Sequence, residues 1–168
     1  GRWLGNAVQG DLGRSYITGR PIMDEIAPRL PITGQLMVVS IGLALLVAVP
    51  LGVLSAYREG SRTDQSVTGV ALLGISTPNF LLGIFLIYFM AVKLQWFPAV
   101  GWVRISDSFT GNLKSMTLPV VSLAVAEAAV FTRLIRSDMI ATLQENYILS
   151  ARAKGLRDRF ILFRHGLR

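Results

Sequence analysis

The sequence predicts an all-α membrane protein: three transmembrane helices followed by a basic, cytoplasmic helix–turn–helix. Three observations carry this reading. Hydrophobic residues make up 52% of the chain and charged residues only 16%, with a mean hydropathy of +0.51, outside the range of ordinary soluble domains. The few charges are segregated: none falls within 30–57 or 65–92, and Glu127 alone interrupts 115–132. Of the 17 Lys and Arg, eight follow the last apolar window: Arg133, Arg136, Arg152, Lys154, Arg157, Arg159, Arg164 and Arg168.

The same composition excludes several function classes. A net charge of +7 and a pI near 10.6 would suggest nucleic acid in a soluble protein. Here the basic residues lie between and after apolar runs, where orientation in the bilayer explains them, and no nucleic-acid partner is expected. With no cysteine, disulfides, thiolate catalysis and Cys-based metal sites are excluded. The single His165 cannot build a metal site alone, so no metal ligands are expected. No signal-peptide pattern opens the chain, and the start at Gly1 and abrupt end at Arg168 read as those of a processed chain or fragment.

Residues 1–35 hold four Arg, three acids, several Gly and Pro, Trp3 and Tyr16, which suits a polar, partly irregular external lead-in at a membrane surface. The first span is 36–56; at about 1.5 Å per residue its 21 positions reach about 31 Å, enough to cross the hydrocarbon core. Along it Ser40, Ala44, Ala48, Gly52 and Ala56 recur every fourth residue. Lipid supplies no hydrophobic drive for helices to associate, so a stripe of small residues lets another backbone approach and gain dispersion contacts. A helix-packing face is expected there, against the blander possibility that Ala and Gly are merely common in membrane spans.

The second span, 67–92, carries Ser76-Thr-Pro-Asn79 near its middle. Proline lacks a donor and clashes with the carbonyl four residues back, here that of Gly74, freeing polar backbone where lipid cannot satisfy it. A kink follows, either facing a wet cavity, with Ser76, Thr77 and Asn79 on a substrate pathway, or packed structurally against neighbours. Trp96 and Trp102, flanking Pro98, fit the aromatic belt of an outer loop. The third span, 115–132, contains Glu127; an intramembrane acid suggests a water-lined path, or else pairing with an Arg of another helix. An odd number of spans puts the ends on opposite sides, and the basic residues after the third place the C-terminus and the turn 58–64 in the cytoplasm, with the N-terminus external.

The segment 133–168 then reads as a docking element. Gly155 closes the run beginning at Tyr147, and Leu156, Phe160, Phe163 and Leu167 form an apolar stripe beyond it, giving two short helices with a corner at the glycine. Three roles fit these residues: a polybasic patch holding anionic lipid, an amphipathic helix in the interface, or a helical knob seated in a groove on a cytoplasmic partner.

Tyr147 to Leu156 resembles the cytoplasmic loop of binding-protein-dependent ATP-binding cassette importer permeases, in the branch carrying dipeptides and oligopeptides. The likeness extends through Gly10-Asp-Leu-Gly-Arg-Ser15, Arg29-Leu-Pro-Ile-Thr33, Ser76-Thr-Pro-Asn-Phe80, Leu118-Pro119, Thr132-Arg133, Arg136-Ser137 and Ala151-Arg-Ala-Lys-Gly-Leu156, in the family's order and approximate spacing. It implies a multi-pass bacterial inner-membrane subunit of six spans, of which three remain here, the first and the last two lying beyond the ends of this sequence. Residues 1–168 would then be a partial transmembrane permease domain. The implied partners are a second homologous permease, two ATP-binding cassette ATPase subunits, an external substrate-binding protein and the lipid bilayer. In the family the loop around the Gly is a coupling helix seated in the ATPase; on that likeness Tyr147, Ala151, Ala153, Gly155, Leu156 and Phe160 are the expected coupling residues. ATP and Mg would be bound in the partners and no cofactor in this chain, which lacks a Gly-x-x-x-x-Gly-Lys-Ser/Thr loop and any catalytic grouping around its lone His. It is therefore not expected to be an enzyme; ATP binding elsewhere would drive alternating access through contact. Glu127 departs from the family pattern, where a small or apolar residue is expected. The competing expectations are another cargo on the same scaffold, such as nickel or a sugar, and a membrane anchor or sensor whose basic tail binds lipid or a regulator.

Overall fold

The computed structural model describes residues 2–144. Every regular element among them is helical: α1 (Arg2–Val8), α2 (Ile22–Ile26), α3 (Leu30–Tyr57), α4 (Arg62–Ser76), α5 (Asn79–Leu86), which continues into a π-helical stretch (Ile87–Lys93), and α6 (Phe109–Leu143). Contacts divide the chain into two units, Gly1–Val39 and Ser40–Arg168. In the first, a loop between α1 and α2 is closed by an isolated bridge between Arg14 and Pro21. Its rim is pinned where the Ser15 amide donates to the Arg20 carbonyl at 2.9 Å and the Thr18 hydroxyl donates to Glu25 at 2.6 Å.

In the second unit α6 is the element against which the others pack. Two helices, α3 and α6, are each long and apolar enough to cross a membrane, and α4 with α5 and its π-helical extension makes a third if that bent pair is one span. Ser108 opens α6 by accepting from the Gly111 amide at 3.1 Å, a side-chain N-cap. Buried Asn112 then ties the preceding loop to the helix by donating to the Val103 carbonyl at 2.7 Å. From there α6 runs without a break past Thr132 to Leu143, so the residues following the third apolar window prolong the same helix.

The second apolar window breaks rather than bends. Helix α4 stops at Ser76, Thr77 and Pro78 are extended, and the two halves meet at 94°. Pro78 has no amide hydrogen and disfavours helical backbone at the residue before it, which is why Thr77 takes φ −89°, ψ 119°. The break is then stabilised locally. The Thr77 amide and hydroxyl both donate to the Leu73 carbonyl, at 3.1 and 2.8 Å, and the Pro78 carbonyl accepts from Leu81 and Leu82 to start α5.

Small residues set the approach of α3 to α6. Ser40, Ala44, Ala48, Gly52 and Ala56 are all buried; Ala44 packs with Ala124 and Ala128 between Leu43 and Phe131. In the last turn of α3, Ala56 meets Met139 among Val53, Ile140 and Leu143. Between these clusters Gly52 lies so close to α6 that a β-carbon on it would sit 2.8 Å from Ile135 Cγ2 and 3.0 Å from the Thr132 carbonyl oxygen.

Candidate functional site: a charged node joining three helices

Beneath that contact a tight turn reverses the chain between α3 and α4. Gly60 takes φ 75°, a left-handed conformation a side chain would strain. Ser61 follows as the N-cap of α4, its hydroxyl accepting from the Asp64 amide at 3.2 Å. This places Asp64 in the first turn of the helix, where the exposed amide dipoles favour a negative charge, and turns its carboxylate inward, leaving the residue 4% exposed.

Three residues give that carboxylate four short hydrogen bonds, and the Thr68 hydroxyl of α4 lies 3.5 Å from Oδ1. Arg136 of α6 donates through Nε to Oδ1 at 2.6 Å and through Nη2 to Oδ2 at 2.8 Å. Ser55, fully buried in the last turn of α3, donates its hydroxyl to Oδ1 at 2.6 Å. The Gly60 amide donates to Oδ2 at 2.9 Å. A two-pronged guanidinium–carboxylate pair fixes orientation as well as distance. A buried charge pair is stable only when its remaining lone pairs are also satisfied, and here Ser55 and Gly60 satisfy them. Among the described residues no buried side-chain nitrogen or oxygen lacks a partner. The node therefore holds α3, α4 and α6 together at one end of the unit.

Above it lies a cavity of about 380 Å³ bounded by Val47 and Leu51 of α3, Val67, Val70 and Gly74 of α4, and Ala128 and Ala129 of α6. Its walls are aliphatic, so it offers shape and volume but little to orient a polar ligand. Among the described residues no group of three or more His, Cys, Asp or Glu is placed to hold a metal ion.

The residues singled out from sequence fall into three sets. Ser40, Ala44, Ala48, Gly52 and Ala56 lie buried along α3. Ser76, Thr77 and Asn79 gather at the break between α4 and α5, Ser76 and Asn79 exposed and Thr77 half-buried; Glu127 is exposed on α6, and none of these four lines the cavity. Tyr147, Ala151, Ala153, Gly155, Leu156 and Phe160 lie outside the described residues. The sequence reading missed the node itself, because Arg136 served it as an orientation signal and a point of family likeness and Asp64 only as the end of a turn. One signal was available: Asp64 is an acid at the edge of an apolar window, assigned to the same membrane side as Arg133 and Arg136.

Comparison with known proteins adds the family. A profile for "binding-protein-dependent transport system inner membrane component" matches residues 48–168. The oligopeptide transport system permease protein AppB of Bacillus subtilis (strain 168) is 43% identical over 170 positions, covering 99% of this chain and 54% of that protein. A putative peptide transport system permease protein of Brucella suis biovar 1 (strain 1330) is 38% identical over 168 positions, covering 100% and 54%. A probable peptide ABC transporter permease protein of Sinorhizobium fredii (strain NBRC 101917 / NGR234) is 34% identical over 166 positions, covering 99% and 53%. The chain thus spans about half the length of these relatives.

Proposed function

The chain belongs to the binding-protein-dependent transport system inner membrane components, and from that premise we propose that it forms part of the permease subunit of an ATP-driven importer of oligopeptides or dipeptides. The observation carrying the cargo class is the 43% identity to an oligopeptide permease across essentially all of this sequence. In this reading the subunit pairs with a second, homologous permease, receives its cargo from an external binding protein, and rests on two ATPase subunits that bind ATP and Mg.

The N-terminal end faces outward and the turn 58–64 and residues 133–168 face the cytoplasm, in keeping with the arginines that follow the third apolar window. Tyr147, Ala151, Ala153, Gly155, Leu156 and Phe160 then form the coupling segment seated on an ATPase. Rocking of the spans opens the space between the paired permeases alternately outward and inward. The polar groups freed at the Pro78 break, with Ser76, Thr77 and Asn79, and the acid Glu127 are assigned to the pathway side.

The test is reconstitution of the full-length subunit with its partners in liposomes. Uptake of a labelled peptide should require ATP and the binding protein, and Gly155→Val should abolish most of it while membrane insertion stays intact. Normal uptake by that variant would remove the coupling assignment; wild-type uptake that ignores ATP would remove the importer reading.

A further inference from the structure

The node at Asp64 lies where the proposed work would enter. Arg136 precedes the end of α6 at Leu143 by about two helical turns, roughly 10 Å, and the coupling segment assigned above begins a few residues later. A push delivered to the end of α6 alone would tend to slide or tilt that helix against its neighbours, because the clusters joining α3 to α6 around Ala44 and Ala56 are apolar contacts, which are non-directional. Arg136 changes this by gripping a carboxylate that is itself held by the last turn of α3, through Ser55, and by the α3–α4 turn, through Gly60.

Resting on the importer reading, we propose that the Asp64–Arg136 pair is a positioning element of the transport cycle: a strut that makes the end of α3, the start of α4 and the lower part of α6 move as one body. It delivers force from the coupling segment to three helices at once, including the one that ends at the Pro78 break. The geometry favours a strut over a latch. The Asp64 side chain is 5% exposed and the Arg136 side chain 28%, and opening the pair would leave a desolvated carboxylate with Ser55, Gly60 and the more distant Thr68 hydroxyl in place of a cation, which is strongly unfavourable. The surrounding contacts, Gly52 on Ile135 and Ala56 on Met139, leave no slack for such an opening.

The experiment uses the full-length subunit assembled with its partners in liposomes and reads peptide moved per ATP hydrolysed. Arg136→Gln should lower that ratio roughly tenfold to a hundredfold, the scale on which small misplacements act, with ATP hydrolysis and assembly unchanged. Arg136→Lys, which keeps the charge and one donor, should recover part of it. Asp64→Cys with Arg136→Cys, made in a complex whose other subunits and remaining segments have been freed of cysteine, gives an addressable pair, since residues 1–168 contain none. Unlinked, it should behave like Arg136→Gln; bridged by a bifunctional thiol reagent of matching span, it should regain uptake, since a strut needs only a fixed distance.

A bridged pair that hydrolyses ATP without transport, or Arg136→Gln with a wild-type ratio, overturns the strut. Should Arg136→Gln fail to assemble, Arg136→Lys carries the test: a reduced ratio at normal assembly supports the strut and a wild-type ratio overturns it. A wild-type complex that moves no peptide sinks the importer reading and the strut with it, whereas wild-type uptake with unaltered variants sinks the strut alone.

Discussion

Two glycines on α3 should respond to the same substitution with opposite signs. At Gly52 an added β-carbon would meet Ile135 Cγ2 at 2.8 Å, Ile135 Cβ at 2.9 Å and the Thr132 carbonyl oxygen at 3.0 Å. Carbon atoms rest about 3.5–4.0 Å apart, so α3 and α6 would have to separate by roughly 0.7 Å or more. Neither neighbour yields easily, one being a β-branched side chain with a stiff first torsion and the other backbone. Overpacking of this kind costs about 1–3 kcal/mol, while replacing Gly by Ala inside a helix returns about 0.5–1 kcal/mol, leaving Gly52→Ala destabilised by about 1 kcal/mol at mid-range. At Gly42 nothing lies within 4 Å of the added atom, so Gly42→Ala should keep only the favourable part. Thermal unfolding of the full-length subunit in detergent reads the difference, as a midpoint lowered by Gly52→Ala and not lowered by Gly42→Ala. If Gly52→Ala proves as stable as wild type, or Gly42→Ala loses more, α3 does not lie against α6 as described.

Ser55→Ala should cost about 1–3 kcal/mol, because it removes a donor from a buried carboxylate; equal unfolding midpoints for variant and wild type would show that Ser55 does not serve Asp64. Pro78→Ala restores an amide donor and releases Thr77 from its extended conformation, so the 94° angle between α4 and α5 should relax toward a continuous helix. Spin-label distances between positions 66 and 88 measure this, and an unaltered distance would mean that the Thr77 hydroxyl bond to Leu73 holds the break without the proline.

Much of the fold was legible because lipid simplifies the code. A membrane helix must be long, apolar and internally hydrogen-bonded, so the apolar windows 36–56 and 115–132 fall within α3 and α6, and the residues spaced by four from Ser40 to Ala56 lie buried on α3. The identity of the opposing surface was not legible. Nothing in that spacing distinguishes Ala124, Ile135 and Met139 from the other apolar residues of α6, since any of its faces could have met a small-residue stripe. The break at Pro78 was readable in place but not in angle. A proline interrupts one helical bond, but the break also has the Thr77 hydroxyl joining its own amide on the Leu73 carbonyl, and a threonine can equally direct its hydroxyl elsewhere.

The charged node escaped the sequence for a different reason: it is a consequence of packing, and packing had to be known first. Asp64 and Arg136 are 72 residues apart, and each has an ordinary local explanation, an acid in a first helical turn and a cation after an apolar window. Their pairing depends on how near α3 comes to α6. Hydrogen bonds of 2.6 and 2.8 Å leave a usable range of only about 0.4–0.6 Å before N···O separations exceed ~3.2 Å. That margin is smaller than the separation a single methyl at Gly52 would impose. The small-residue stripe and the ion pair are accordingly one device: the glycine sets the distance at which the arginine can grip, and the grip fixes the register that the featureless small-residue face cannot fix by itself.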